Sequence, residues 1–138
     1  MAKMPKEVLD LFDDPEALKM LATVDKQKNL ELVPLRTVGV SDGETLVFAD
    51  VLKGKTRQNL EATKRATVTV FKAPMAGYQA KGTFMGWQTS GPACDKYMSK
   101  AKEILEGAGI SDSPTGIGLI KVDEAYSISP VAGGMKVA

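Results

Sequence analysis

Short apolar runs rich in β-branched residues recur along this chain, each closed by a turn signal, and helical segments interrupt them without regular alternation. That pattern constrains the fold more than any single motif. Met20 to Asp25 and Leu30 to Val40 flank the polar run Lys26 to Asn29 and predict a hairpin. Asp42-Gly43-Glu44 is a tight turn, and Thr45 to Ala49 follows as a strand of nearly continuous apolar character. Thr67-Val68-Thr69-Val70 marks a strand over Ala66 to Phe71. After the break Ala73-Pro74-Met75-Ala76-Gly77, Tyr78 to Gln88 resumes as a strand, with Gly82 and Gly86 at bulges or close approaches. A last strand runs from Gly116 to Ile128. A doubly wound parallel sheet would need β-α-β alternation, so the expectation is a mainly β, α+β fold: a six-stranded antiparallel barrel with helical appendages.

The helices fall between these runs. Val8, Leu9, Leu11 and Phe12 share one face of an amino-terminal helix over residues 5–13, with Pro5 suited to its first turn. Asp14-Pro15-Glu16 resembles a second helix start. Another helix is expected from Lys55 or Thr56 to about Thr63. Ser90-Gly91-Pro92 opens the clearest helix, whose apolar face holds Tyr97, Met98, Ala101, Ile104, Leu105 and Ala108, and Gly107 or Gly109 ends it. The glycine-containing tail 131–138 is expected to be flexible. With 138 residues, 43% of them hydrophobic, the chain has enough material for one core, and residues 1–138 are expected to form one domain.

Charge and composition exclude several classes of function. The 18 basic and 17 acidic side chains leave a net charge of +1, which gives no field to recruit nucleic acid or an anionic membrane. Met1 to Lys6 lacks a signal-peptide core and no apolar run spans a bilayer, so a cytoplasmic location is expected. Cys94, the single cysteine, excludes an internal disulfide and a Cys-x-x-Cys pair. Histidine is absent, which removes Ser-His-Asp and Cys-His nucleophile systems and histidine metal triads. A bound cofactor is then the natural carrier of any redox reactivity. Asp13-Asp14 and Asp123-Glu124 are taken as solvated carboxylates, because neighbouring positions point apart. Lys96, Lys100, Lys102 and Glu103 form the wet face of their helix.

One segment carries candidate chemistry. Thr45-Leu46-Val47-Phe48-Ala49-Asp50-Val51-Leu52-Lys53-Gly54-Lys55-Thr56-Arg57-Gln58-Asn59-Leu60 is a strand, a short basic loop and a helix start. Backbone N–H groups at a helix start offer donors and a favourable dipole to a phosphate. Lys53, Lys55 and Arg57 supply charge, Thr56 a hydroxyl, and Gly54 leaves the backbone approachable. It is not a Walker loop, since position 49 is Ala49 and not glycine. From these residues alone, Gly54-Lys55-Thr56 is either a phosphate site or an ordinary solvated cap.

The sequence resembles the pyridoxamine 5′-phosphate oxidase-like FMN-binding split barrels, and most of all their small bacterial members. The resemblance runs from Leu9 to about Tyr126. It rests on Leu21-Ala22-Thr23-Val24-Asp25, Val33-Pro34-Leu35-Arg36-Thr37-Val38, Leu46-Val47-Phe48-Ala49-Asp50 with Lys55-Thr56 and Asn59-Leu60, Thr67-Val68-Thr69-Val70, and the strand entering Gly82. It implies FMN held at the interface of a homodimer. Lys55 and Thr56 would contact the phosphate, with Lys53 beside them, and Asn59 would support the loop. Arg36 and Thr37 would meet phosphate, ribityl chain or flavin edge. Phe48, Ala49, Asp50 and Val51 would lie along the isoalloxazine, largely through backbone groups, although Asp50 reads equally as a solvated loop carboxylate. Trp87 reads either as a flavin or dimer contact or as simple packing. The family's longer oxidases carry a substrate-gripping carboxyl-terminal segment with arginine and histidine. That segment is missing from the tail Val131-Ala132-Gly133-Gly134-Met135-Lys136-Val137-Ala138. The function implied is a flavin-dependent oxidoreductase or electron carrier, with a non-catalytic flavin store or a deazaflavin (F420) reductase as alternatives and the redox partner unspecified.

Overall fold

A computed structural model describes residues 2–109, 114–131 and 133–138. Its elements follow the chain as α1 (Lys6–Asp13), β1 (Leu18–Val24), β2 (Leu30–Pro34), β3 (Gly39–Asp42), β4 (Thr45–Ala49), α2 (Gly54–Thr63), β5 (Arg65–Lys72), β6 (Ala76–Gln88), α3 (Pro92–Gly107) and β7 (Ile117–Ser127). The architecture is a mainly antiparallel sheet with three helices. Strand order is β2-β1-β5-β6-β7-β4-β3, and each pairing is antiparallel. No helix among the described residues is long and apolar enough to cross a membrane.

Two expectations for the order of strands and helices change. The run Leu30 to Val40 is two strands, not one, so the sheet has seven strands, and it does not close into a six-stranded barrel. The reason is burial: Leu35, Thr37 and Val38 are all buried, and these neighbours cannot keep the two-residue alternation of a strand. β2 ends on one edge of the sheet, β3 begins on the opposite edge, and only Leu35 to Val38 lie between them. Seven strands laid flat would separate those edges by about 29 Å. Five Cα steps reach no more than about 18 Å, so the sheet must curl to bring its edges together. The second change is at Asp14. Its carboxylate accepts the Glu16 N–H at 2.9 Å, as in a helix cap, but the chain turns over Pro15 to Ala17 and enters β1 instead.

The curl encloses the main core, in which Val8 and Phe12 of α1 pack with Leu21, Leu35, Val38, Leu46, Phe48, Val68 and Ile120. A smaller cluster lies outside the sheet, where Val47 and Ala49 of β4 and Ile117 of β7 meet Cys94, Tyr97 and Ala101 of α3. β4 thus buries both faces, which explains its unbroken apolar sequence. The tail, expected to be flexible, forms a bridge between Lys136 and Tyr126, and its Ala138 carbonyl accepts the Ala125 N–H at 3.0 Å.

Gly82 and Gly86 stand at the two register shifts between β6 and β7. A Cβ on Gly82 would fall 2.3 Å from the Lys121 carbonyl oxygen, a backbone atom with no room to retreat. Gly82→Ala should therefore cost about 1–3 kcal/mol of stability, more than alanine gains over glycine by propensity. Gly43→Ala, whose Cβ would meet only the flexible Lys3 side chain at 3.5 Å, is the control expected to stay near wild type in urea denaturation.

Lys19 occupies an inward position of β1 beside Leu21 and Thr23, is 4% exposed, and donates from Nζ to the Val38 carbonyl at 2.9 Å. Burial pushes its ammonium down to about 8, Lys100 adds to the shift, and Asp13 and Asp14 oppose it. The unfolded chain holds this proton up to about its ordinary 10.5. Between those values the unfolded state binds more protons, so the stability contributed by Lys19 rises with pH. Denaturation of wild type and Lys19→Met from pH 7 to 10.5 should show the wild type gaining on the variant above pH 8. Parallel pH profiles would contradict this account.

Candidate functional site

Eight of the ten expected site residues run from the end of β4 through the first turns of α2, and Arg36 and Thr37 lie on the Leu35 to Val38 link, which meets β4 through Thr37. Thr37 is buried at the hinge of this region, and its Oγ1 accepts the Ala49 N–H at 3.1 Å. Arg36 beside it is exposed. The ring of Phe48 points into the main core, 5.7 Å from Trp87 and 6.4 Å from Phe84 between centroids. Beyond β4, the Asp50 N–H donates to the Gly116 carbonyl at 2.9 Å and the Val51 N–H to the Ala49 carbonyl at 2.9 Å. The Asp50 carboxylate pairs with Arg57, so it is not simply solvated.

Helix α2 begins with Lys53 in extended conformation at the N-cap, and among the described residues no side chain caps its first turn. Gly54 has φ +67°, a left-handed conformation that suits glycine, and a Cβ built there would meet nothing within 4 Å. The helix start therefore presents open backbone donors with Lys53 and Lys55 alongside. Thr56 is buried. Asn59 is also buried and donates from Nδ2 to Thr23 Oγ1 at 3.1 Å, which pins α2 to β1.

Asp25 closes one side of this surface. Its carboxylate accepts the Asn29 N–H at 2.8 Å and the Asn29 amide at 3.1 Å, and lies 3.3 Å from Lys55 Nζ. The Asn29 backbone and side-chain donors, and after them Lys55, hold this carboxyl below its usual range. Lys55 is half exposed, so its ammonium faces solvent as well as Asp25.

Other groups were not legible as a site in the sequence. Asp13, taken as solvated, accepts the Val40 N–H at 2.9 Å and lies 3.3 Å from Lys100 Nζ, which was taken as part of a wet helix face. Asp14 pairs with Lys72 at 2.6 Å and Asp123 accepts the Thr83 hydroxyl at 2.9 Å. Asp13 and Lys100 line a cavity of about 360 Å³ with Ser41 and Tyr97. The Tyr97 hydroxyl is buried, with the Thr37 hydroxyl near it but no hydrogen bond of ordinary geometry among the described residues; burial, then the charge of Asp13, pushes this phenol well above its ordinary range, and Thr37 opposes the shift. A larger cavity of about 580 Å³ lies over β1, β5 and β6, lined by Thr23, Arg65, Thr67 and Lys81 among others. Neither cavity is lined by any of the ten expected residues. Nothing in the local sequence brings Asp13, Lys19, Tyr97 and Lys100 together.

Comparison with known proteins adds a lineage to this geometry. Residues 4–128 match the model of the pyridoxamine 5′-phosphate oxidase family. HupZ of Group A Streptococcus is similar at 26% identity and a TM-score of 0.72, over 95% of this chain and 98% of that one. An FMN-binding protein of Syntrophomonas wolfei is similar at 16% identity and a TM-score of 0.70, over 90% of this chain and 88% of its own. An F420 reductase is similar at 15% identity and a TM-score of 0.66, over 88% of this chain and 98% of its own. None of the curated proteins matches. With the family model spanning nearly the whole strand and helix order described above, the chain belongs to the pyridoxamine 5′-phosphate oxidase family.

Proposed function

We propose that this chain is an FMN-binding flavoprotein of the split-barrel type, a single domain that works as a cytoplasmic homodimer and serves as an oxidoreductase or electron carrier. The observation that carries the reading is the open, basic start of α2 beside the end of β4. Helix amides, the charges of Lys53 and Lys55 and the Thr56 hydroxyl suit a phosphate monoester. Arg36, exposed on the link, would add charge. Thr37 acts behind the surface by fixing Ala49, and Asn59 by anchoring α2. The flavin would extend from the helix start along Ala49, Asp50 and Val51. When bound, FMN supplies the electron or hydride transfer, and the chain orients it and limits its access to water.

The dimer is supported by an unpartnered apolar strip on the outer face of β1 and β2, where Leu18, Leu30 and Leu32 are 68%, 80% and 64% exposed. The likeness to an FMN-binding protein favours FMN, and the likeness to an F420 reductase keeps a deazaflavin as the second reading; both use a phosphate-bearing tail.

FMN should bind more tightly than riboflavin, which lacks the phosphate, in a flavin-fluorescence titration. Each charge-assisted contact is worth about 1.5–3 kcal/mol, so Lys55→Ala with Thr56→Ala should weaken FMN binding at least a hundredfold and leave riboflavin almost unchanged. Equal losses for both ligands would move the phosphate elsewhere. For the reaction, anaerobic mixing with NAD(P)H should reduce the bound flavin faster than free FMN. Indistinguishable rates with NAD(P)H and with protein donors would leave only the storage role.

A further inference from the structure

In the sequence Arg57 is only the third cation of the basic turn. In the structure its guanidinium is already engaged on two sides. One nitrogen pairs with the Asp50 carboxylate and lies 3.5 Å from the Leu52 carbonyl, and Cζ sits over the Trp87 ring, 4.2 Å from its centroid. Its Nε is 3.8 Å from Glu61 one helical turn on. Trp87 in turn packs edge-on against Phe84 at 4.9 Å and Phe48 at 5.7 Å. Arg57 therefore links three elements: the turn after β4, the first turns of α2, and β6 with the core behind it.

We propose that Arg57 is the positioning residue of the anion-binding turn, a clip that fixes Asp50 to Lys53 in shape and is not itself a phosphate ligand. The inference rests on the flavin reading above and adds a device to the same site. The turn's first residue is held by the bond from the Asp50 N–H to the Gly116 carbonyl, and its helical end by Asn59 on Thr23. Between those fixed points the Arg57 side chain is the tie that reaches both the Asp50 carboxylate and the Leu52 carbonyl. It does so from a single nitrogen while the guanidinium carbon lies over the Trp87 indole. A lysine supplies the same charge as a point on a flexible stem, without the planar group that packs flat on an indole. Preorganisation matters because a loose turn must lose its freedom when the phosphate arrives, and that cost is subtracted from affinity.

A ligand and a clip respond differently to substitution. For a ligand, charge is what counts, so Arg57→Lys would keep most of the affinity. For a clip, the rigid guanidinium and its contact with Trp87 count, so Arg57→Lys should bind FMN about as weakly as Arg57→Ala, each roughly tenfold below wild type. Trp87→Leu, which removes the stack and no charge, should also weaken FMN, and combining it with Arg57→Ala should add little, because both break one tie. Trp87 is the only tryptophan, so its emission in the flavin-free protein reports the stack directly and should shift in both Arg57 variants. The experiment is FMN titration of the full-length wild type and these variants, with Trp87 emission recorded before FMN is added. Wild-type affinity in Arg57→Lys, multiplicative losses in the double variant, or unchanged emission in Arg57→Ala would each overturn the clip while leaving the flavin reading in place. A wild type that ignores FMN sinks the flavin reading, and this inference with it.

Discussion

The connection from Leu35 to Val38 is too short for the sheet to be flat. It leaves β2 on one edge and enters β3 on the other, so its length forces the curl that makes a core possible in a chain of this size. Everything that fixes this connection is internal. The Leu35 N–H donates to the Lys19 carbonyl at 2.9 Å, Lys19 Nζ donates to the Val38 carbonyl, and Thr37 Oγ1 accepts from Ala49. Burying an ammonium here is costly, as the depressed Lys19 shows, and the hydrogen bond to Val38 offsets part of that cost.

The same connection places the candidate site. Because Thr37 holds the end of β4, the turn that follows begins from a fixed point, and α2 begins from that turn. β4 is itself clamped between the main core and the α3 cluster, so its last residues have little freedom. Rigid strand ends that deliver a short turn and an uncapped helix start are the features the proposed anion site would use. Arg57, Trp87 and the aromatic group behind them extend that rigidity into the turn.

Much of this was legible in the residues. Turn chemistry and β-branched alternation found β5, β6, β7 and the hairpin of β1 and β2 to within a few residues, and Pro92 with the apolar stripe found α3. The basic turn stood out because cations, glycine and threonine are adjacent in sequence, and a helix start needs nothing more distant. The split of Leu30 to Val40 was hidden, because Leu35, Thr37 and Val38 look equally suited to a continuing strand. Asp14 misled for a related reason: a side chain that accepts the N–H two residues ahead closes a turn as readily as it starts a helix.

By itself the sequence determined the local elements, the near-neutral charge, the absence of histidine, and the resemblance that the family match confirms. These follow from periodicity and from residues that act on their near neighbours. Tertiary structure alone decided which strands became edges, that Lys19 is buried against Val38, and that Arg57 lies over Trp87 thirty positions away. Those contacts depend on how a twisted sheet closes on its own core, and no window of neighbouring residues encodes that distance.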